Sequence, residues 1–154
     1  MQIQVFIENE AHSSRKNIFN EKTLEYLESI TVTGEYPFPY GFILHTTGGD
    51  GDNVDCFVLT DKPLKSGQLV ECEPIGLLEQ TETSWERPGE EEEDHTVLAT
   101  LVGETACIDE ALKSALRDFI LHIFDHLPGK KITLGQFLGK EAAIRYIQDC
   151  GDEP

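Results

Sequence analysis

Three carboxylates, Asp50, Asp52 and Asp55, fall within the six residues Asp50-Gly51-Asp52-Asn53-Val54-Asp55. They sit where a Gly-containing turn runs into an apolar stretch, Val54-Asp55-Cys56-Phe57-Val58-Leu59. Clustered carboxylate oxygens hold hard divalent cations, and Mg²⁺ in particular works with a few carboxylates together with the phosphates of a substrate. A calcium loop of the EF-hand type does not fit, since Gly is missing at its sixth position and Glu at its twelfth. An Asp-rich surface turn is the alternative that the triplet alone leaves open.

The triplet follows a second motif, Tyr36-Pro37-Phe38-Pro39-Tyr40-Gly41. A Tyr-Pro-x-x-Tyr-Gly segment shortly before Asp-x-Asp-x-x-Asp resembles the active-site signature of the soluble (family I) inorganic pyrophosphatases. Further matches are Pro63-Leu64 with Gly67, Pro74-Ile75-Gly76, Glu93-Asp94, His122-Ile123-Phe124-Asp125-His126, Gly129-Lys130 and Glu141-Ala142-Ala143. The likeness runs from about Val5 to Ile147.

The resemblance implies hydrolysis of pyrophosphate with Mg²⁺ or Mn²⁺ as cofactor. It places Asp50 and Asp55 as metal ligands and Asp52 as the base that takes a proton from the attacking water. Asp94 and Glu82 stand at further metal-binding positions, and Glu8 at an active-site Glu. Lys16, with Arg15 as its neighbour and alternative, stands at a phosphate-binding Lys, and Tyr40 at a Tyr that hydrogen-bonds near the phosphate. A homo-oligomer is implied as well, since small bacterial members form homohexamers.

The departures share one sign. The family's Arg before the aromatic segment falls on Glu28, a Lys after the Glu-Asp pair becomes Thr96, and a Tyr-Lys pair after the long helix is missing. Asn53 stands where the signature usually carries Pro or Glu. Fixed cations aimed at developing charge contribute a few kcal/mol each to catalysis, so the grip on substrate is expected to be weakened. Lys130 and Lys131, or a histidine among His12, His45, His95 and His126, are the candidates to compensate, with His95 beside Asp94 foremost. Two other readings stay open: a catalytically silent metal-binding module, and a hydrolase of another phosphoanhydride or phosphoester.

Composition narrows the partners. Against 29 Asp+Glu stand 12 Lys+Arg, for a net charge of −17. Nucleic acid and anionic membrane surfaces need clustered cations, so neither is expected as a partner. Cys56, Cys72, Cys107 and Cys150 show no Cys-x-x-Cys spacing, which argues against structural zinc. With no basic, apolar start and no run long enough for a membrane span, a reducing cytoplasm is the expected location.

The 154 residues suit one domain, 1–154. Gln2–Ile7 alternates like a half-buried strand, and 24–33 reads as a further strand pair. Strands are expected at 54–59, 68–78 and 95–102, with a long exposed loop or hairpin tip over 79–94. Apolar residues Leu112, Leu116, Phe119, Ile120, Ile123, Phe124 and Leu127 recur at helical spacing, from Asp109 and Glu110 to a stop at Pro128-Gly129. A shorter helix is expected over about 139–148. Strands first and helices last predict an α+β fold: a closed or strongly curved antiparallel β-barrel, OB-like, with two C-terminal helices.

Overall fold

A computed structural model describes residues 1–84, 87, 89–127 and 129–152. The alternation at the amino end becomes β1 (Ile3–Asn9), with Ile3, Val5 and Ile7 buried. It pairs antiparallel with β4 (Tyr40–Ile43), which is numbered after the ribbon strands β2 (Arg15–Phe19) and β3 (Tyr26–Thr31). Gly41 is required at that contact, because a Cβ there would lie 1.8 Å from the Phe6 carbonyl oxygen. The ribbon forms a separate two-stranded sheet.

The main sheet continues through β5 (Asp55–Val58), β6 (Leu69–Thr83), β7 (Glu91–Glu93), β8 (Thr96–Leu101) and β9 (Ile132–Leu138). Its order is β1-β4-β5-β8-β6-β7, with β9 beside β6. β1 also pairs with β6, so the pairings from β1 through β4, β5, β8 and β6 return to β1. The 15-residue β6 reaches all of these partners by shifting register at Pro74/Gly76 and Leu78/Gln80, the local bend that bulges provide.

The expectation of an all-antiparallel sheet is corrected. β5 and β8 run parallel, from Asp55 opposite Thr96 to Val58 opposite Ala99. The apolar pattern of a buried strand carries no sign of its direction, and the intervening β6–β7 hairpin returns the chain so that both strands start at the same end. Of the two forms expected over 79–94, a long loop or a hairpin tip, the chain takes the hairpin: β6 extends to Thr83, and Thr81–Thr83 pair with β7. The strand pair expected within 24–33 is one strand, β3, whose partner β2 lies earlier in the chain. β9 goes beyond the sequence expectation, because Gly135 inside it weakens the strand pattern.

Helix α1 (Glu110–His122) starts as expected, with the Asp109 side chain accepting the Leu112 amide at 2.9 Å. It ends a turn before Leu127, in turns over 123–126, and Pro128 lies outside the described residues. Helix α2 (Lys140–Asp149) follows β9. Alternate residues of β5 face two cores. Cys56 and Val58 pack with Val5, Val97, Ala143 and Ile147, whereas Phe57 packs with Leu78, Leu98, Leu116, Phe119 and Ile120. Among the described residues no helix is long and apolar enough to cross a membrane.

Candidate active site

A cleft of about 240 Å³ opens where the second core meets the starts of β5 and β8. All eight residues singled out from the sequence line it: Glu8, Lys16, Tyr40, Asp50, Asp52, Asp55, Glu82 and Asp94. The parallel pair is the reason two of them meet. Asp55 begins β5, Thr96 faces it at the start of β8, and Asp94 precedes Thr96 by two residues.

The loop carrying Asp50 is pressed against the same point. A Cβ on Gly49 would lie 2.3 Å from the Glu93 carbonyl oxygen, so only glycine allows the loop to approach β7 this closely. One carboxylate oxygen each from Asp50, Asp55 and Asp94 consequently lies within 4.8 Å of the others. Burial above all, with the charges of neighbouring carboxylates adding to it, raises the pKa of all three above the usual range. Such mutual repulsion between buried carboxylates is relieved by a divalent cation. The donor set fits Mg²⁺, being hard oxygens converging on one point with an open cleft beside them.

The backbone amides of the metal loop find their acceptors close by. Gly51 N–H donates to the Gly48 carbonyl at 3.1 Å, and Asp52 N–H to Asp50 Oδ1 at 3.0 Å. Val54 N–H donates to Thr46 Oγ1 at 2.9 Å. Asp52 itself is exposed at the cleft.

Elsewhere in the lining Glu8 is buried, and burial lifts its carboxyl to about 7, with Lys16 pulling it down and Asp52 pushing it up. Lys16 lies 6.0 Å from the centre of the Tyr40 ring. Burial lowers its pKa, but Tyr36, Glu8, Asp55 and Glu21 outweigh that and raise it. Burial, followed by Asp55 and Asp94, raises the Tyr40 hydroxyl. Arg15, the alternative to Lys16, turns away and donates to the Tyr26 hydroxyl at 3.2 Å.

Glu82 is nearby but differently engaged. Its Oε1 lies 3.4 Å from Lys130 Nζ, whose side chain is 2% exposed, and Gln80 Nε2 donates to its Oε2 at 3.5 Å. Lys130 also donates to the Thr83 carbonyl at 2.7 Å. Lys130 thus meets the cleft lining by way of Glu82. Thr96 donates to Gln80 Oε1 at 3.1 Å. Glu28 is exposed on β3.

None of the four candidate histidines is among the described residues lining the cleft. His95 accepts the Gln80 amide on Nδ1 at 2.9 Å, and its Nε2 lies 3.4 Å from Glu93. His126 lies 3.5 Å from the Thr33 hydroxyl, and His12 and His45 sit in turns with positive φ.

Two polar cleft residues escaped the sequence reading, and a third, Tyr36, was read only as part of the aromatic motif. Gln80 carries no motif signal, and Glu21 lies in a polar turn. Tyr36 is the first residue of the aromatic segment; it is buried, and its hydroxyl has no hydrogen-bond partner among the described residues. Burial raises that hydroxyl to about 12.

Comparisons with known proteins point the same way. A sequence model of the family described as inorganic pyrophosphatase matches residues 5–153. An inorganic pyrophosphatase of Nanoarchaeum equitans is 31% identical over 161 residues, covering 97% of this chain and 96% of the relative. One from Salmonella typhimurium is 34% identical over 111 residues, covering 70% and 63%. A solved inorganic pyrophosphatase from Coxiella burnetii superposes with a TM-score of 0.83 at 25% identity, covering 97% of this chain and 92% of that one. One from Helicobacter pylori gives a TM-score of 0.84 at 24% identity, covering 97% and 91%.

Proposed function

The chain belongs to the inorganic pyrophosphatase family, whose members use Mg²⁺, and from that premise we propose that it hydrolyses pyrophosphate to two phosphates. Water adds to one phosphorus, the bridging P–O bond breaks, and the second phosphate leaves with the electron pair. The observation that carries this reading is the convergence of Asp50, Asp55 and Asp94 on one point of the cleft.

These three residues would hold Mg²⁺, or Mn²⁺ in its place, with Glu82 and Glu8 as flanking carboxylates. When bound, such cations supply positive charge for the diphosphate and acidify water. Asp52, exposed at the cleft, takes the proton of the attacking water. Lys16 and the Tyr40 hydroxyl hold phosphate oxygens. The cycle of strands, read as a small OB-like barrel in a single domain, keeps these residues in register. A homo-oligomer completes the proposal.

Weak substrate grip is part of the reading. Glu8, Glu21, Asp50, Asp52, Asp55, Glu82 and Asp94 face the cleft, and Lys16 is the one cation among its described lining residues. That imbalance also supports a second reading, a module that binds metal without turnover. Phosphate release from pyrophosphate, measured across titrations of Mg²⁺ and Mn²⁺, separates the two. Release that appears with metal and disappears in Asp52→Asn supports hydrolysis, and no release at any metal concentration overturns it. Faster turnover of another phosphoanhydride would reassign the substrate.

A further inference from the structure

Asn53 is the departure inside the metal-binding signature, and the structure gives it a partner. Of the hydrogen-bonded amides in the loop, those of Gly51, Asp52 and Val54 find acceptors within residues 46–54. The Asn53 amide instead donates to Glu21 Oε1 at 2.9 Å, 32 residues away in sequence. The contact is doubled, as Asn53 Nδ2 lies 3.4 Å from the Glu21 carbonyl oxygen. Asn53 is 4% exposed, so a lost partner would leave a buried amide unsatisfied.

Glu21 is itself held in place. It lies in the turn between β2 and β3, where Asn20 Oδ1 accepts the Lys22 and Thr23 amides at 2.9 and 3.0 Å. The Leu24 amide closes on the Asn20 carbonyl at 2.7 Å, with Leu24 in the left-handed region at φ 64°. A side chain on so constrained a turn can fix whatever it grips.

We infer that Glu21 is a positioning residue whose grip on Asn53 fixes the adjoining Asp52 carboxylate for its work on water. This rests on the hydrolase reading, because it assigns Glu21 a role in the step given to Asp52. The loop's own hydrogen bonds set its curl, whereas the Glu21 bond ties it to the ribbon bearing Lys16. The loop and the ribbon are thereby held at a fixed separation. A proline at residue 53 would have no N–H to give, so the clamp belongs to chains with another residue there.

A double-mutant cycle tests the clamp. Glu21→Ala is expected to lower kcat about tenfold, the effect of leaving the buried Asn53 amide without its acceptor, with KM little changed. Glu21→Gln keeps an acceptor oxygen and should restore most of that loss. In an Asn53→Pro background the Glu21→Ala penalty should vanish. A penalty of equal size in that background, or Glu21→Gln as damaging as Glu21→Ala, would overturn the clamp.

Amide hydrogen exchange on the same proteins provides a readout apart from turnover. Asn53 should exchange at least about tenfold faster in Glu21→Ala than in the parent protein, as the loss of its acceptor requires. Unchanged exchange would overturn the clamp whether or not the parent releases phosphate. Lost protection in a parent that releases none would sink the hydrolase reading and leave the clamp standing.

Discussion

Two carboxylate groups that line the cleft meet their burial in opposite ways. In one, Asp50, Asp55 and Asp94 face one another, and their pKa values are driven up together. In the other, Glu82 meets the buried Lys130 ammonium at 3.4 Å. A buried carboxylate with an internal cation is already balanced, while a trio of converging acids keeps an open demand for charge from outside. Burial alone thus does not make a metal centre; the imbalance does.

The largest effect expected from disturbing this contrast is at the unbalanced trio. Asp55→Asn removes one converging oxygen, and metal-dependent phosphate release should fall by roughly a thousandfold. Turnover within a few-fold of the parent would show that the trio is not where the metal works. At the balanced pair, Lys130→Met strands a buried Glu82 and should destabilise the protein by about 3 kcal/mol in denaturant melts. The released carboxylate should at the same time strengthen Mg²⁺ binding in calorimetry. Weaker binding would mean that the pair supports the metal set and does not compete with it.

A smaller change follows from crowding the metal loop. Gly49→Ala must move the loop away from the Glu93 carbonyl, and Mg²⁺ affinity should fall about tenfold with the fold intact by circular dichroism. Unaltered affinity would show that the trio tolerates a displaced Asp50.

The mildest effect concerns pH. Glu8 and Glu21 have folded-state pKa values of about 7 and about 9, above the ordinary value of 4.5. For Glu21 the causes are burial, then the charges of Glu8, Asp55 and Asp52. Raised carboxylate values favour the folded state at low pH, so that this stability is complete below about 4.5 and drains away as pH climbs through 7 to 9. Metal-free protein should therefore melt a few degrees lower at about pH 9 than at about pH 6, with excess Mg²⁺ narrowing the gap. A melting temperature that rises with pH in the absence of metal would contradict this assignment.

Much of the site was legible because its signals are local. The Asp triplet, the aromatic segment and the Glu93-Asp94 pair are contiguous, and each brought residues to the cleft. Asp109 and the three-and-four spacing after it likewise announced α1. What escaped depends on pairing across the chain. Nothing in Val54–Leu59 says that β5 will run parallel to β8, and Ile132–Leu138 becomes a strand only by meeting β6. Glu21 has no motif around it; its importance comes from an amide 32 residues away. The engagement of Lys130 was open in the sequence, which does not show where the connection after α1 leads.

The parallel β5–β8 pair has a consequence for how the molecule is made. Asp55 and Asp94 come from opposite sides of the β6–β7 excursion, and a synthesised chain must complete that detour before they stand together. Neither half of the polypeptide, cut between β5 and β6, would own a competent trap for Mg²⁺. Ion uptake during refolding is thus a timer for closure of the chain, and one that needs no substrate to be read.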